Sequence, residues 1–228
     1  MAKNSSAENN QLKFSPTALN LFLECPRCFW LQYNKGIHRP AGIFPSLPGG
    51  MDIVIKKYFD AYREKGLLPP EIEGKVDGRL LPDMELMKKW RNWRSGLSFA
   101  DAECGAILSG ALDDCLLDED KYIPVDYKTR GFDLKEDSSN FYQNQLDCYT
   151  LLLEENGYAH ANHAYLVYYI PKEVLSGSKV RFDVVVKKMT TNPERARQTL
   201  RFAVQSLKGE IPDKHSRCAY CAWGLEER

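Results

Sequence analysis

Two acids and one lysine, Asp113, Asp126 and Lys128, lie in a stretch whose pattern predicts a β-hairpin. The β-prone runs 107–117 and 122–128 flank an acidic break at residues 118–120. With the turn centred between residues 119 and 120, the pairing places Asp113 opposite Asp126. Because side chains alternate along a strand, Lys128 shares their face, whereas Tyr127 and Asp114 project to the other face.

The two opposed carboxylates need a compensating charge. Directly opposed residues on paired strands have Cβ atoms about 5 Å apart, where like charges repel. A divalent cation between them would relieve the repulsion, and hard carboxylate oxygens suit Mg²⁺ or Mn²⁺. Both acids follow apolar residues in their strands, which favours a site over the alternative of a hairpin with solvated charges. Pro124 has no N–H donor and could shift the register by one residue.

Three motifs in and after the hairpin resemble those of a known family. They are Gly110-Ala111-Leu112-Asp113, Val125-Asp126-Tyr127-Lys128-Thr129 and Gln145-Leu146-Asp147-Cys148-Tyr149. In this order and spacing they are similar to the G-x-x-D, D-x-K and Q-x-x-x-Y motifs of PD-(D/E)XK nucleases. The most similar branch is the RecB-like group, which includes the CRISPR-associated RecB-like exonucleases. The resemblance extends from about residue 15 to residue 223. It implies an α/β, restriction-endonuclease-like fold with a mixed β-sheet flanked by helices, and metal-dependent hydrolysis of DNA.

The resemblance also implies a role for each motif residue. Asp113, Asp126 and the carbonyl of Tyr127 would hold Mg²⁺ or Mn²⁺. Lys128 would position or deprotonate the nucleophile. Gln145 and Tyr149, one helical turn apart, would position the substrate backbone and the lysine.

A further metal ligand is expected from the helix that the pattern predicts at 51–63. In the resembled family this helix often brings a His or Glu to the metal, and here the position holds Asp52. A carboxylate near a helix N-terminus can equally serve only to complement the helix dipole. Both interpretations of Asp52 stay open.

Four of the seven cysteines form two C-x-x-C pairs near opposite ends of the chain, Cys25 with Cys28 and Cys218 with Cys221. Such pairing predicts a shared four-thiolate site that joins the N- and C-terminal segments, rather than buried thiols that only pack. Zn²⁺ and iron–sulfur clusters both use four thiolates. The resemblance favours a [4Fe–4S] cluster, although the related nucleases use one N-terminal and three C-terminal cysteines. The two-plus-two spacing suits Zn²⁺ equally, so the expected group is a [4Fe–4S] cluster, with Zn²⁺ as the alternative.

Length and composition bound the organisation of the chain. With 228 residues it can bury one substantial core, so we expect a single domain over residues 13–228 after a disordered segment at 1–12. No apolar run approaches the ~20 residues that span a bilayer, and the start is polar, which predicts a cytoplasmic protein without membrane contact. The formal net charge is zero. Any DNA contact therefore has to come from a local patch.

The rest of the pattern predicts the elements around the hairpin. A helix begins after Ser15, is interrupted by Pro26 and resumes until Gly36, and a loop covers 37–50. The segment 83–94 predicts a helix with a solvated basic side and two tryptophans in the core, and the alternative is a DNA-facing patch with stacking aromatics. A helix at 139–156, strands at 163–170 and 179–189 and a helix at 192–208 complete the chain.

Together these features predict a metal-dependent DNA nuclease, an exonuclease acting on single-stranded or end-containing DNA. The resembled branch implies helicases or CRISPR adaptation proteins as partners beside DNA. The alternative is a non-cleaving nucleic-acid-binding or assembly module that retains the nuclease scaffold. The zero net charge and the lack of a histidine near the site favour that alternative.

Overall fold

The computed structural model describes residues 11–42 and 46–222. The helices are α1 Pro16–Glu24, α2 Pro26–Lys35, α3 Ser46–Arg63, α4 Met84–Arg91, α5 Gln143–Glu155, α6 Pro193–Lys208 and α7 Ala219–Ala222, with a 3₁₀ turn at Asn140–Tyr142. The strands are β1 Lys13–Phe14, β2 Arg79–Leu80, β3 Leu97–Asp101, β4 Ala106–Gly110, β5 Asp114–Asp118, β6 Lys121–Thr129, β7 His163–Leu175 and β8 Lys179–Thr190. The predicted disordered segment 1–12 lies, apart from its last two residues, outside the described residues.

The strands form two sheets. The larger sheet has the order β2-β5-β6-β7-β8, in which β6 and β7 run parallel and the other pairs are antiparallel. The smaller sheet has the order β1-β4-β3. Helix α5 connects β6 to β7, contacts strands of both sheets, and is buried throughout residues 146–153. The predicted fold class, a mixed α/β sheet flanked by helices, is therefore confirmed.

The predicted first strand of the hairpin, 107–117, is wrong as a single strand. Strand β4 ends at Gly110 and β5 begins at Asp114, and the two belong to different sheets. The chain passes close over α5 at this break, because a Cβ on Gly110 would lie 2.9 Å from the side chain of Leu152. Asp113 therefore stands at a crossing between two sheets rather than in the middle of a strand.

Two further expectations need correction. Helix α3 begins at Ser46, so residues 46–50 are helical rather than part of a loop, and Asp52 lies in its second turn instead of its first. Of the two tryptophans expected in the core, Trp90 is fully buried but Trp93 is 76% exposed, because α4 ends at Arg91. The predicted interruption at Pro26 is confirmed, and Gly36 ends α2 with φ of 66°.

A helix that crosses a bilayer needs about 20 consecutive apolar residues. None of the helices within 11–42 and 46–222 combines the length and the apolar character that such a crossing requires.

Candidate active site and four-cysteine site

The hairpin that carries the predicted acids has the predicted register. Strand β5 pairs with β6 from Asp118 opposite Lys121 to Asp114 opposite Val125, and Pro124 faces Cys115 without a shift. The turn uses Glu119 in a left-handed conformation, with φ of 52°. Asp113 and Asp126 follow as the next residues outward, so the tight turn at one end of the hairpin determines which acids meet at the other.

Asp113 lies between a lysine and a backbone amide. Its Oδ1 accepts a hydrogen bond from Lys56 Nζ at 2.8 Å, and its Oδ2 accepts one from the N–H of Tyr127 at 3.2 Å. Burial acts to raise the pKa of Asp113, but the ammonium group of Lys56 outweighs it, and the pKa lies below its usual value. Asp113 is therefore ionised at neutral pH.

Asp126 is completely buried and has the opposite electrostatics. Its Oδ1 accepts a hydrogen bond from Gln145 Nε2 at 2.9 Å, and its Oδ2 contacts Lys128 Nζ as an ion pair without a well-directed hydrogen bond. Burial and the negative charge of Asp113 raise the pKa of Asp126 to about 8, against the opposing effect of Lys128. The two carboxyl groups are close enough to share a hydrogen bond when Asp126 is protonated.

Gln145 connects the remaining motif residues from the first turn of α5. Its Oε1 accepts a hydrogen bond from Lys128 Nζ at 3.3 Å, and its Nε2 donates to Tyr149 Oη at 2.6 Å as well as to Asp126. Burial raises the pKa of Tyr149 well above its usual value. The phenol therefore keeps its proton, and the structure brings Asp113, Asp126, Lys128, Gln145 and Tyr149 into one connected group.

Lys56 is a residue of this group that the sequence analysis missed. Its ammonium donates to Asp52 Oδ2 and to Asp113 Oδ1, both at 2.8 Å, so it lies between the two acids. The oxygens of Asp52, Asp113 and Asp126 do not come together within 4.8 Å as a set of three. The spacing could have revealed Lys56, because it stands four residues after Asp52 and therefore on the same helical face.

A buried charge network lies behind the two acids and was also missed. Asp114 is fully buried and accepts hydrogen bonds from Arg63, from Arg91 at 2.8 Å and from the hydroxyl of Tyr127 at 2.6 Å. Arg91 also donates from Nε to the carbonyl oxygen of Asp113 at 2.7 Å. The predicted alternation of side chains placed Tyr127 and Asp114 together. The arginines that neutralise Asp114 come from α3 and α4, which are distant in sequence. The local sequence around Asp114 therefore could not identify them.

Comparison with known proteins identifies the family. The profile of the PD-(D/E)XK nuclease superfamily matches residues 54–224, three quarters of the chain. The chain belongs to the PD-(D/E)XK nuclease superfamily. The match includes all three motifs and the C-terminal cysteine pair, while Asp52 and the N-terminal cysteine pair precede it.

Two other comparisons add little to this PD-(D/E)XK assignment. The crystal structure of SSO0001 aligns with a TM-score of 0.48 and 12% sequence identity, covering 96% of this chain and 87% of that chain. No curated protein sequence matches this chain significantly. The family membership therefore rests on the sequence profile.

The four cysteines of this PD-(D/E)XK protein come together at one place. Cys25 Sγ lies 3.5 Å from Cys221 Sγ, and Cys28 Sγ lies 3.6 Å from Cys218 Sγ and 4.0 Å from Cys221 Sγ. All four sulfurs lie within 4.8 Å of one another and all four residues are buried. They form the one group of three or more close Cys, His, Asp or Glu ligands in residues 11–42 and 46–222. Metal binding at the four-cysteine site would join α1 and α2 to the C-terminal segment.

Helix α1 links the four-cysteine site to the candidate active site. Cys25 ends α1 and begins α2, where its Sγ accepts a hydrogen bond from the N–H of Cys28. Midway along α1, Asn20 Oδ1 accepts a hydrogen bond from Asn144 of α5 at 2.7 Å, next to Gln145. Ser15 and Thr17, at the start of α1, line a cavity of about 510 Å³ that reaches Gln145. A metal ion bound at the four-cysteine site would thus anchor the helix that forms one wall of the candidate active site.

Proposed function

We propose that this PD-(D/E)XK protein is a metal-dependent DNA nuclease of the RecB-like type. We infer that it is an exonuclease acting on single-stranded or end-containing DNA. The observation that carries the proposal is the convergence of Asp113, Asp126 and Lys128, with Gln145 in hydrogen-bond contact with the last two. In these nucleases paired acids and a lysine at the ends of adjacent strands perform phosphodiester hydrolysis.

The chemistry of the donor set fits a hard divalent cation. Asp113, Asp126 and the carbonyl of Tyr127 offer oxygen ligands only, which suits Mg²⁺ or Mn²⁺. Burial and the neighbouring charge of Asp113 raise the pKa of Asp126, and a bound cation would stabilise its ionised form. A bound cation would lower the pKa of its water and neutralise charge that develops on the phosphate. Asp52 is a further ligand in this proposal only when Lys56 moves aside.

Lys128 and its neighbours have separate roles in the proposed reaction. The ammonium of Lys128 lies between Asp126 and Gln145 and 4.6 Å from the centre of the Tyr142 ring, so its position is restricted on three sides. From there it can orient or deprotonate the attacking water. Tyr149 accepts a hydrogen bond from Gln145 and keeps its own proton, which it can donate to a substrate phosphate oxygen.

Cleavage assays test the proposal. Wild type, Asp126→Asn and Lys128→Ala are incubated with linear and circular single-stranded DNA and with Mg²⁺ or Mn²⁺, and released nucleotides are measured. We expect metal-dependent release from the linear substrate only, and a loss of about 10³-fold or more in each variant with an unchanged circular dichroism spectrum. Asp118→Asn, an exposed acid at the turn of the same hairpin, is the matched control and should cut like wild type.

Each unexpected result has a defined meaning. Cutting of the circular substrate would show that the protein is an endonuclease rather than an exonuclease. If wild type binds single-stranded DNA but releases nothing with either metal, the protein is the non-cleaving binding module, and the nuclease proposal is wrong.

For the four-cysteine site we propose one tetrahedral Zn²⁺, and the alternative is the [4Fe–4S] cluster that the resemblance implies. Four sulfurs about 2.3 Å from one zinc ion lie roughly 3.8 Å apart, and the sulfur distances here are 3.5, 3.6 and 4.0 Å. Four irons between the thiolates would require a wider separation, because each thiolate binds a different iron. Protein purified without oxygen should be colourless with one zinc per chain. A brown protein with iron would establish the cluster instead.

A further inference from the structure

The two tryptophans of the basic segment have different surroundings. Trp90 is completely buried, where its ring packs on Tyr122 and Tyr158. Trp93 is 76% exposed, and the Arg94 guanidinium stacks on its ring at 4.9 Å. A single exposed aromatic residue is common on protein surfaces. Trp93 differs from such isolated residues because it lies beside the candidate active site.

Trp93 borders the candidate active site directly. It lines a cavity of about 270 Å³ together with Gln145 and Tyr149, and with Gly110 and Ala111, which precede Asp113 in the chain. Ser15 and Thr17 line this cavity and also the larger one beyond Gln145. The two cavities therefore meet at Gln145, which donates a hydrogen bond to Asp126, and Trp93 lies at one end of them.

The loop that carries Trp93 is fixed to the segment that carries Asp113. Asn92 Oδ1 accepts a hydrogen bond from the N–H of Arg94 at 2.9 Å, and Ser95 N–H donates to the carbonyl of Asn92 at 3.1 Å. Next to this turn, Gly96 packs so closely that a Cβ on it would lie 2.5 Å from the carbonyl oxygen of Gly110.

Two more hydrogen bonds complete the attachment. Leu112 N–H donates to the carbonyl of Trp90 at 3.0 Å, and Arg91 Nε donates to the carbonyl of Asp113 at 2.7 Å. The backbone that carries Trp93 is therefore fixed relative to Asp113, although the indole ring itself is exposed.

We propose that Trp93 is a stacking platform for a nucleobase of the single-stranded DNA that the proposed nuclease cuts, with Arg94 contacting the adjacent phosphate. This inference rests on the proposed function. Stacking is tolerant of sequence because every base presents a π face, which suits a nuclease that removes nucleotides without regard to sequence. Duplex DNA keeps its bases paired and stacked within the helix, so Trp93 should contribute to single-strand binding more than to duplex binding.

Binding measurements in a non-cutting background test the platform. In Asp126→Asn protein, the affinity for a short oligothymidine and for a duplex of equal length is measured, together with quenching of tryptophan fluorescence. Adding Trp93→Ala should weaken oligothymidine binding by about 5- to 100-fold and remove most of the quenching. Adding Trp93→Phe, which keeps a ring, should weaken it by much less, and duplex binding should change little. Phe202→Ala removes an exposed ring from α6, outside both cavities, and should leave binding unchanged.

The outcomes separate the platform from the proposed function. If the Asp126→Asn protein binds oligothymidine and Trp93→Ala binds it equally well, the platform is wrong and the nuclease proposal stands. Equal losses for oligothymidine and duplex would also overturn it, since a general effect on folding or charge would produce them. If wild type neither binds nor cuts single-stranded DNA, both proposals fail.

Discussion

The candidate active site brings carboxylates together and the four-cysteine site brings thiols together, but the two sites form by different means. The acids come from one hairpin, where a short turn fixes their pairing. The cysteines are separated by up to 196 residues and meet only because α7 lies against the junction of α1 and α2. The sheet and the Asp114 network hold the acids in place, whereas a metal ion bound by the cysteines would hold α1, α2 and α7 together. We therefore expect substitutions at the acids to remove activity without loss of stability, and substitutions at the cysteines to remove stability first.

The largest effect on stability should follow from loss of the cysteine ligands. Cys218→Ser together with Cys221→Ser removes half of the thiolates, so a bound metal ion no longer stabilises the folded state. We expect the free energy of unfolding to fall by about 3–5 kcal/mol, measured by urea denaturation. The decrease should be smaller than in zinc fingers, because the core of this domain is built around α5 and the sheets. Cys104→Ser, a cysteine outside the four-cysteine site, is the matched control, and an equal loss in that variant would contradict a metal role.

The next largest effect should come from the charge network behind the acids. Arg91→Met leaves the buried carboxylate of Asp114 with one arginine instead of two and frees the carbonyl of Asp113. Removing one partner of a buried ion pair leaves an uncompensated charge, so we expect a loss of about 3 kcal/mol in urea denaturation, with reduced cleavage. Lys88→Met on the same helix removes an exposed ion pair with Glu85 and should have no measurable effect. Equal stability of the two variants would show that the network does not support the acids.

The sequence allowed the local part of each site to be predicted. Alternation and the turn predicted the β5–β6 register, and the two C-x-x-C pairs predicted that the cysteines meet. What could not be predicted depends on distant contacts. The run 107–117 is predicted as one strand, but it divides between two sheets where Gly110 lies close to α5, a contact with a residue distant in sequence.

The misplaced tryptophan has a similar explanation. Trp90 and Trp93 are three residues apart and would share a face of a continuous helix, which favoured a core position for both. The helix ends at Arg91, whose side chain turns inward to Asp60 and Asp114 instead of staying on a solvated basic side. Basic residues in a run are usually solvated, so only the tertiary structure could identify Arg91 as an ion-pair partner.

Asp126 should distinguish the two sites most clearly, because its removal should stabilise the metal-free protein. Its pKa is raised to about 8, so the folded state binds a proton that the unfolded state has released above about pH 4. Metal-free wild type should therefore lose stability as the pH rises from about 4 to about 8, with little further loss from this group above that range.

Urea denaturation with a chelator present, repeated across this pH range, tests the expectation. Asp126→Asn lacks the titrating group and should be about 2 kcal/mol more stable than wild type at pH 8, with a much smaller difference at pH 5. A variant that is less stable than wild type at pH 8 would mean that Lys128 stabilises the ionised acid more than burial and Asp113 oppose it.

The smallest effect concerns Lys56, whose ammonium lies where Asp52 and Asp113 could share a cation. Burial acts to lower the pKa of Lys56, but the two acids outweigh it and raise the pKa, so the lysine stays charged and competes with a metal ion. Lys56→Met should lower the Mn²⁺ concentration for half-maximal cleavage by about 5-fold, and Lys57→Met, an exposed lysine on the same helix, should leave it unchanged. In the Lys56→Met variant, Asp52 is free to become a ligand of the cation. Adding Asp52→Asn to Lys56→Met should therefore reverse the gain in Mn²⁺ affinity. If Lys56→Met instead raises the Mn²⁺ requirement, Lys56 orients Asp113 rather than competing for it.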